Sequence, residues 1–315
     1  MSTQDLRIEV DHVTRIEGHG NIVLDVKAGE IKELRWEVVE APRLFEVMLK
    51  GRRWDEAQHI SCRICGICSV SHSCASLRAT EDAMDIPISD QTLLLRKLIF
   101  HGEMIQSHVL HVFLLAAPDL LGVESVFPLI KTHKDVVLMA MRLKKLANDI
   151  SHTIGGRHVH PVSMVPGGFR KLPKVKELIE LRERLEAAKA DLAATIDLVQ
   201  TLEFPDFDRE TEYISIQMPH EYALYEGTIF SSDAGPVPTS KYLSVTNEFV
   251  VPHSTAKHAR WHRNSYMAGA LSRFNNNYAM LHPEAKKAAE AIDMRAPTVN
   301  PFKINLAQVV ETVHC

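Results

Sequence analysis

Residues 89–116 read SDQTLLLRKLIFHGEMIQSHVLHVFLLA, and this stretch decides the fold class. Ser89 or Asp90 suits a helix N-cap, and Leu94, Leu98, Ile105 and Leu110 then fall on or near one face of a helix reaching about Ala116. Further along the chain, a second long helix is expected over residues 131–154, closed by Gly155-Gly156 as a C-cap. Residues 174–202 are charged and regularly apolar at Leu178, Leu181, Leu185 and Leu192, which predicts an exposed helix or half of a helical hairpin. Between them, residues 161–173 are rich in Pro and Gly and read as a loop. Residues 203–254 hold five prolines and little period, with short strands expected near 213–216 and 242–246. Helix is expected again over about 255–281, and once more from Pro283, which fits the first position of a helix.

Towards the N-terminus the period changes to two. Leu6, Ile8 and Val10, then Ile22, Leu24 and Val26, then Leu34, Trp36 and Val38 alternate, with a Lys27-Ala28-Gly29-Glu30 turn between the last two runs. That pattern predicts a small antiparallel sheet within residues 1–41. From Pro42 the apolar stripe Leu44, Phe45, Met48 and Leu49 predicts a short helix ending at Gly51, and a second one runs from Asp55 towards Ser61. The expected class is therefore α+β, mainly α: a long-helix bundle over residues 42–315 with a small N-terminal antiparallel sheet, forming one unit over 1–315.

Composition narrows the function. Hydrophobic residues are 45% and charged residues 24% of 315, an ordinary globular balance. The net charge of −4 does not indicate a general nucleic-acid surface. The longest apolar run, residues 109–123, is interrupted by His111, Pro118 and Asp119 and is shorter than the ~20 residues of a membrane span. The N-terminus has no apolar signal-like core, so a cytoplasmic location without a direct membrane span is expected. There are 17 His, as many as Phe and Tyr together, and 5 Cys. Four of the cysteines, Cys62, Cys65, Cys68 and Cys74, fall within thirteen residues, a clustering that suits metal chemistry better than a disulfide framework.

The core of that cluster is Ser61-Cys62-Arg63-Ile64-Cys65-Gly66-Ile67-Cys68-Ser69-Val70-Ser71-His72. Cysteines two residues apart can turn their sulfurs towards one metal, and Gly66 permits the turn at low steric cost. Soft thiolates favour zinc, copper(I), iron–sulfur clusters or nickel. His72, four residues after Cys68, could reach back as a ligand or as a donor to the sulfurs. Three readings of these residues compete. Cys62, Cys65, Cys68 and His72 could form a zinc knuckle. The Cys-x2-Cys-x2-Cys run could hold an iron–sulfur cluster, although no Cys-Pro follows. The cysteines could also be buried and free, which is the better reading for Cys74.

The stretch Arg63-Ile-Cys65-Gly-Ile-Cys68-x3-His72-x2-Ala75-Ser76 resembles the N-terminal metal motif of the large subunit of nickel–iron hydrogenases. The resemblance extends along nearly the whole chain. Arg15-Ile16-Glu17-Gly18-His19-Gly20 matches the family's N-terminal signature. Arg43-Leu44-Phe45-Glu46 with Gly51-Arg52, the run Ala117 to Gly122, and His160-Pro161 with Pro166-Gly167-Gly168 also fit. The stretches 253–260, Asn275-Asn276-Asn277 and His282-Pro283-Glu284-Ala285 are most similar to the soluble cytoplasmic branch, coupled to nicotinamide, deazaflavin or heterodisulfide partners. The related quinone-reductase subunit of respiratory complex I lacks the cysteines, so Cys65 and Cys68 argue against it.

The resemblance implies that Cys65 is a terminal nickel ligand and that Cys68 bridges nickel to an iron carrying carbonyl and cyanide ligands. It implies that His72 donates a hydrogen bond to the thiolates and that Glu17 is the proton gate. Glu46 matches a glutamate that holds magnesium or another ion; from sequence alone it reads as an ordinary exposed helix residue. His160 would face the partner's nearest cluster, or else be a core or loop histidine. The implied chemistry is heterolytic cleavage of H2, with electrons leaving to iron–sulfur clusters on a separate small subunit, further electron-acceptor subunits beyond it, and maturation proteins to load the metals.

The family's second Cys-x2-Cys does not occur here; after Cys74 the one remaining cysteine is Cys315. The helical body is therefore expected to be incomplete at its C-terminal side, through truncation or a split subunit in preference to a metal-free relative, and the chain by itself is expected to be inactive. Two other readings stand beside the catalytic one: a non-catalytic structural subunit related to hydrogenases and complex I, and a zinc-binding module.

Overall fold

A computed structural model describes residues 5–315, about half of them helical, with three small sheets. The N-terminal sheet comprises β1 (Leu6–Val10), β2 (Gly20–Lys27) and β3 (Glu30–Val38), antiparallel in the order β1-β2-β3. Its register pairs Leu6 with Val26, Ile8 with Leu24 and Ile22 with Trp36, so the alternating apolar residues share one face. The turn falls at Ala28 and Gly29, both at positive φ, as a tight two-residue hairpin requires. Much of the apolar face stays exposed, including Leu6, Ile31 and Leu34.

Next come α1 (Leu44–Leu49), α2 (Ala57–Ser61) and α3 (Ser69–Ala83). Helix α4 (Asp90–Val109) starts at Ser89, whose side chain accepts from the Thr92 N–H at 3.2 Å. It widens into a π-helical segment, Leu110–Ala116, and runs on into α5 (Ala117–Leu120). The whole helical rod, Asp90–Leu120, is long and apolar enough to cross a membrane, yet most of its apolar stretch is buried inside the protein, as in a core helix. The second long helix forms over nearly the expected range, preceded by a short helix that the sequence did not suggest. Helix α6 (Val126–Thr132) ends at His133, and α7 (Lys134–Gly155) follows and stops at Gly156 with φ +77°. Helices α4 and α7 pack closely at Gly102, where a Cβ would stand 2.9 Å from Ile150 Cγ2.

The 161–173 loop carries a minimal hairpin of β4 (Met164–Val165) and β5 (Gly168–Phe169). Helix α8 (Val175–Val199) packs on α7 and keeps a largely exposed outer face, as expected. The Pro-containing region is more ordered than its sequence suggests. Strands β6 (Glu212–Gln217), β7 (Thr228–Ser231) and β8 (Gly235–Val237) form a sheet in the order β8-β7-β6-β9 with a later strand, β9 (Tyr266–Met267).

Two local expectations are corrected. Tyr242–Thr246 is not a strand but a short helix, α9, following a tight turn at Thr239–Lys241, with Val245 buried. The helix expected over 255–281 exists only as α10 (Ala270–Asn277). Upstream of it, long-range bonds replace the i to i+4 ladder. The Thr255 N–H and hydroxyl both bond the Val38 carbonyl, and Phe249 bridges His258 in both directions. The chain continues through α11 (Pro283–Ala291) to α12 (Ile304–His314), which packs on α4, α8, α10 and α11.

The apolar core lies in two neighbouring clusters. The larger draws on α4, α7, α10, α11 and α12; the smaller joins α3, α4 and α7 around Leu77, Ile99 and Ile154.

Candidate metal centre

Cys62 ends α2, a loop carries Cys65, and Cys68 stands at the N-cap of α3. The Cys68 N–H donates to Cys65 Sγ at 3.2 Å, which brings the two thiols of the Cys-x2-Cys together. Cys65 is buried and Cys68 partly buried. Burial, with the Cys65 sulfur alongside, raises the Cys68 thiol above its ordinary pKa. A buried thiol of this kind ionises when a cation neutralises it, so the pair suits a soft metal ion. Among the described residues no group of three His, Cys, Asp or Glu stands close enough to hold a metal ion. The chain thus offers two sulfur ligands and not the four-ligand zinc knuckle of Cys62, Cys65, Cys68 and His72. The Cys62 sulfur turns to the His59 carbonyl at 3.3 Å instead. Cys74 lies in the smaller apolar cluster and is a packing residue, as its sequence context suggested.

Three elements press on this loop. From the segment after α7, His160 sits at φ +55°, its N–H donates to Ser69 Oγ at 3.0 Å, and its Nδ1 meets the Cys62 carbonyl at 2.8 Å. From α2, Gln58 Nε2 donates to Ser73 Oγ at 3.0 Å and to the Pro161 carbonyl at 3.2 Å. From α4, Glu103 accepts from the Val70 and Ser71 N–H groups at 2.6 and 2.8 Å, and from the Ser71 hydroxyl. Gln106, also on α4, donates through Nε2 to the Ile67 carbonyl at 2.7 Å. Burial raises the Glu103 carboxyl to about 7, against the lowering effect of those three donors.

His72 lies one turn into α3, its N–H on the Cys68 carbonyl at 3.1 Å. Burial lowers its pKa, so the imidazole is neutral and can donate one N–H. Glu17 is exposed on the loop between β1 and β2. That loop is tied down by its neighbour Arg15, which pairs with Asp119 and donates to the Glu124 carbonyl at 2.6 Å. Glu46 is exposed on α1, and Lys257 holds its carboxylate at 2.9 Å, lowering its pKa. Glu46 thus faces a lysine cation that an ion at this carboxylate would have to displace. The structure therefore brings Cys65 and Cys68 together, ties His72 to Cys68 through its backbone N–H, and leaves Glu17 and Glu46 on other elements. Sequence reasoning passed over Glu103 and Gln106; the signal was two polar residues three apart within the apolar α4 pattern.

A family model described as nickel-dependent hydrogenase matches residues 43–134, and a HoxL-like model matches residues 7–41. The alpha chain of sulfhydrogenase 1 from Pyrococcus furiosus is 33% identical over 311 residues, covering 98% of this chain and 73% of that protein. A component of the vhu F420-non-reducing hydrogenase of Methanocaldococcus jannaschii is 29% identical, covering 84% of this chain and 68% of that protein. Among solved structures, an NAD+-reducing NiFe-hydrogenase in the H2-reduced state superposes with a TM-score of 0.89 at 25% identity, covering 98% of this chain and 75% of that one. These relatives favour the catalytic family over a structural subunit or a zinc module. The chain belongs to the nickel-dependent hydrogenase large-subunit family.

Proposed function

We infer that this chain is the large, catalytic subunit of a nickel–iron hydrogenase, which oxidises H2 heterolytically and reversibly and passes electrons to a partner iron–sulfur subunit. The observation that carries this reading is the Cys65–Cys68 thiol pair at the head of α3, in a chain one-third identical along its length to the alpha chain of a sulfhydrogenase. In the proposed site the Cys65 and Cys68 thiolates would hold a nickel–iron centre, its iron carrying carbonyl and cyanide ligands. When bound, the metal pair polarises H2 as a Lewis acid. The neutral His72 would lend an N–H to the thiolates, stabilising their negative charge and fixing their orientation. Glu17, on an exposed loop, is proposed to take the proton from the site and release it to water. Glu46 would hold magnesium or another ion only with Lys257 moved aside.

The proposed architecture is one unit built on a bundle of the long helices α4, α7, α8 and α12. Further electron-acceptor subunits and maturation proteins complete the proposed set of partners. Five free cysteines suit a reducing, cytoplasmic compartment. Cys65→Ser in the assembled complex tests the function: nickel content and H2 oxidation should both be lost. Unchanged H2 oxidation would instead favour a scaffolding subunit.

A further inference from the structure

Cys68 occupies the N-cap position of α3, where a side chain ordinarily accepts from the N–H groups two and three residues on. A thiolate placed there would be drawn to those donors and to the positive end of the helix. Here it is not so engaged. The two N–H groups, of Val70 and Ser71, are both taken by Glu103, at 2.6 and 2.8 Å, from a different helix. The Cys68 side chain makes no cap bond, and its sulfur lies against that of Cys65 instead.

One turn further along α4, Gln106 grips the other side of Cys68 through the Ile67 carbonyl at 2.7 Å. Its amide orientation is settled by Lys144 of α7, whose ammonium donates to Gln106 Oε1 at 2.9 Å. An ammonium has no acceptor, so the amide oxygen must face Lys144 and the NH2 must face Ile67. Segment 67–71, with Cys68 near its centre, is thereby held from both ends by residues 103 and 106. Lys144 is half-buried, and burial lowers its pKa.

We propose that Glu103, Gln106 and Lys144 are positioning residues of the metal-binding loop. Glu103 caps α3 in place of Cys68, and Gln106, aimed by Lys144, fixes the Ile67 carbonyl, so that the Cys68 sulfur stands beside Cys65 for metal. This rests on the reading of Cys65 and Cys68 as metal ligands, and the experiment separates the two.

The metal-free full chain is titrated with nickel(II), following the thiolate-to-nickel charge-transfer absorption, with thermal melting measured in parallel. Gln106→Glu keeps the size and the Lys144 contact but cannot donate to Ile67; nickel affinity should fall 10- to 100-fold, the range for partners that orient metal ligands. Glu103→Gln should fall in the same range with a shifted charge-transfer band, because the Cys68 sulfur is drawn back to its own helix. Lys144→Met, outside the loop, should lose a few-fold with its melting temperature unchanged, which a merely structural role would not produce. Wild-type affinity and band in both Gln106→Glu and Lys144→Met would overturn the proposal while leaving the ligands intact. Wild-type affinity in Cys65→Ser would overturn the ligand reading, and the proposal with it.

Discussion

Glu103 on α4, at 3% exposure, and Glu311 on α12, at 0%, are both buried in the helical body. Their proton affinities are nonetheless far apart. The Glu103 carboxyl is raised to about 7, whereas Glu311 is held at about 2. Burial raises both, so burial is not the distinction. Glu103 faces neutral donors only, two backbone N–H groups and a serine hydroxyl. Glu311 faces the Arg273 guanidinium in a two-pronged pair at 2.7 Å, the Tyr222 hydroxyl at 2.6 Å and His108 Nε2 at 2.7 Å. Burial also lowers the pKa of His108, which therefore donates to Glu311 as a neutral imidazole. Neutral donors satisfy a carboxylate without supplying the charge that would keep it ionised. A guanidinium does both.

Removing the carboxylate breaks this comparison most sharply at Glu311. Glu311→Ala leaves Arg273 with no counter-charge and Tyr222 and His108 without their shared acceptor. Loss of one partner of a buried pair costs about 3–5 kcal/mol. Denaturant unfolding of the full chain measures it; a cost under about 1 kcal/mol would mean that the network does not hold α12 to α4 and α10.

The pH dependence sharpens the same contrast, because the two residues act in opposite directions. The Glu311 pKa is lowered, so its stabilisation is fully present above its ordinary value of 4.5 and is lost as pH falls through about 2. His314, lowered to about 4 chiefly by burial, acts in the same direction as pH falls from 6.5. The Glu103 pKa is raised, so its contribution is full below 4.5 and is lost as pH rises through about 7. The stability of the metal-free wild type relative to Glu103→Gln should therefore decline by about 3 kcal/mol between pH 4.5 and 7.5. Urea midpoints at those two pH values read it directly. A constant difference would show that Glu103 titrates as an ordinary exposed glutamate.

The same contrast explains what was legible in the sequence. Features written in neighbouring residues could be read: the alternation of β1 to β3, the turn at Ala28 and Gly29, the stop of α7 at Gly156, the exposed length of α8, and the Cys65–Cys68 pair. Features made by distant residues could not. Glu103 and Glu311 are single polar letters in apolar helices, and their partners lie about 30 and 40 residues or more away. The sheet of β6 to β9 joins strands separated by an irregular segment, and residues 255–269 give up a helical pattern for long-range bonds: Thr255 to Val38 of β3, His258 to Phe249 and His262 to Glu212. Tyr242–Thr246 has strand-like side chains yet follows the turn that precedes it.

The smallest test concerns the two helix caps themselves. Helix α4 is capped locally by Ser89 on the Thr92 N–H at 3.2 Å, a neutral bond between residues three apart. Helix α3 is capped from another helix, by Glu103. Ser89→Ala should cost about 1 kcal/mol, the usual worth of such a cap, with no pH dependence between 4.5 and 7.5. Its nickel affinity should match wild type, since the first turn of α4 lies three turns from Glu103 and does not touch segment 67–71. A local cap of this kind stabilises its own helix and nothing else. A cap supplied from α4 also fixes where α3 begins relative to α4, and Cys68 stands at that beginning. If Ser89→Ala weakened nickel binding as much as Glu103→Gln, loss of a cap would act through general loosening of the helices, and the source of the α3 cap would carry no positional information.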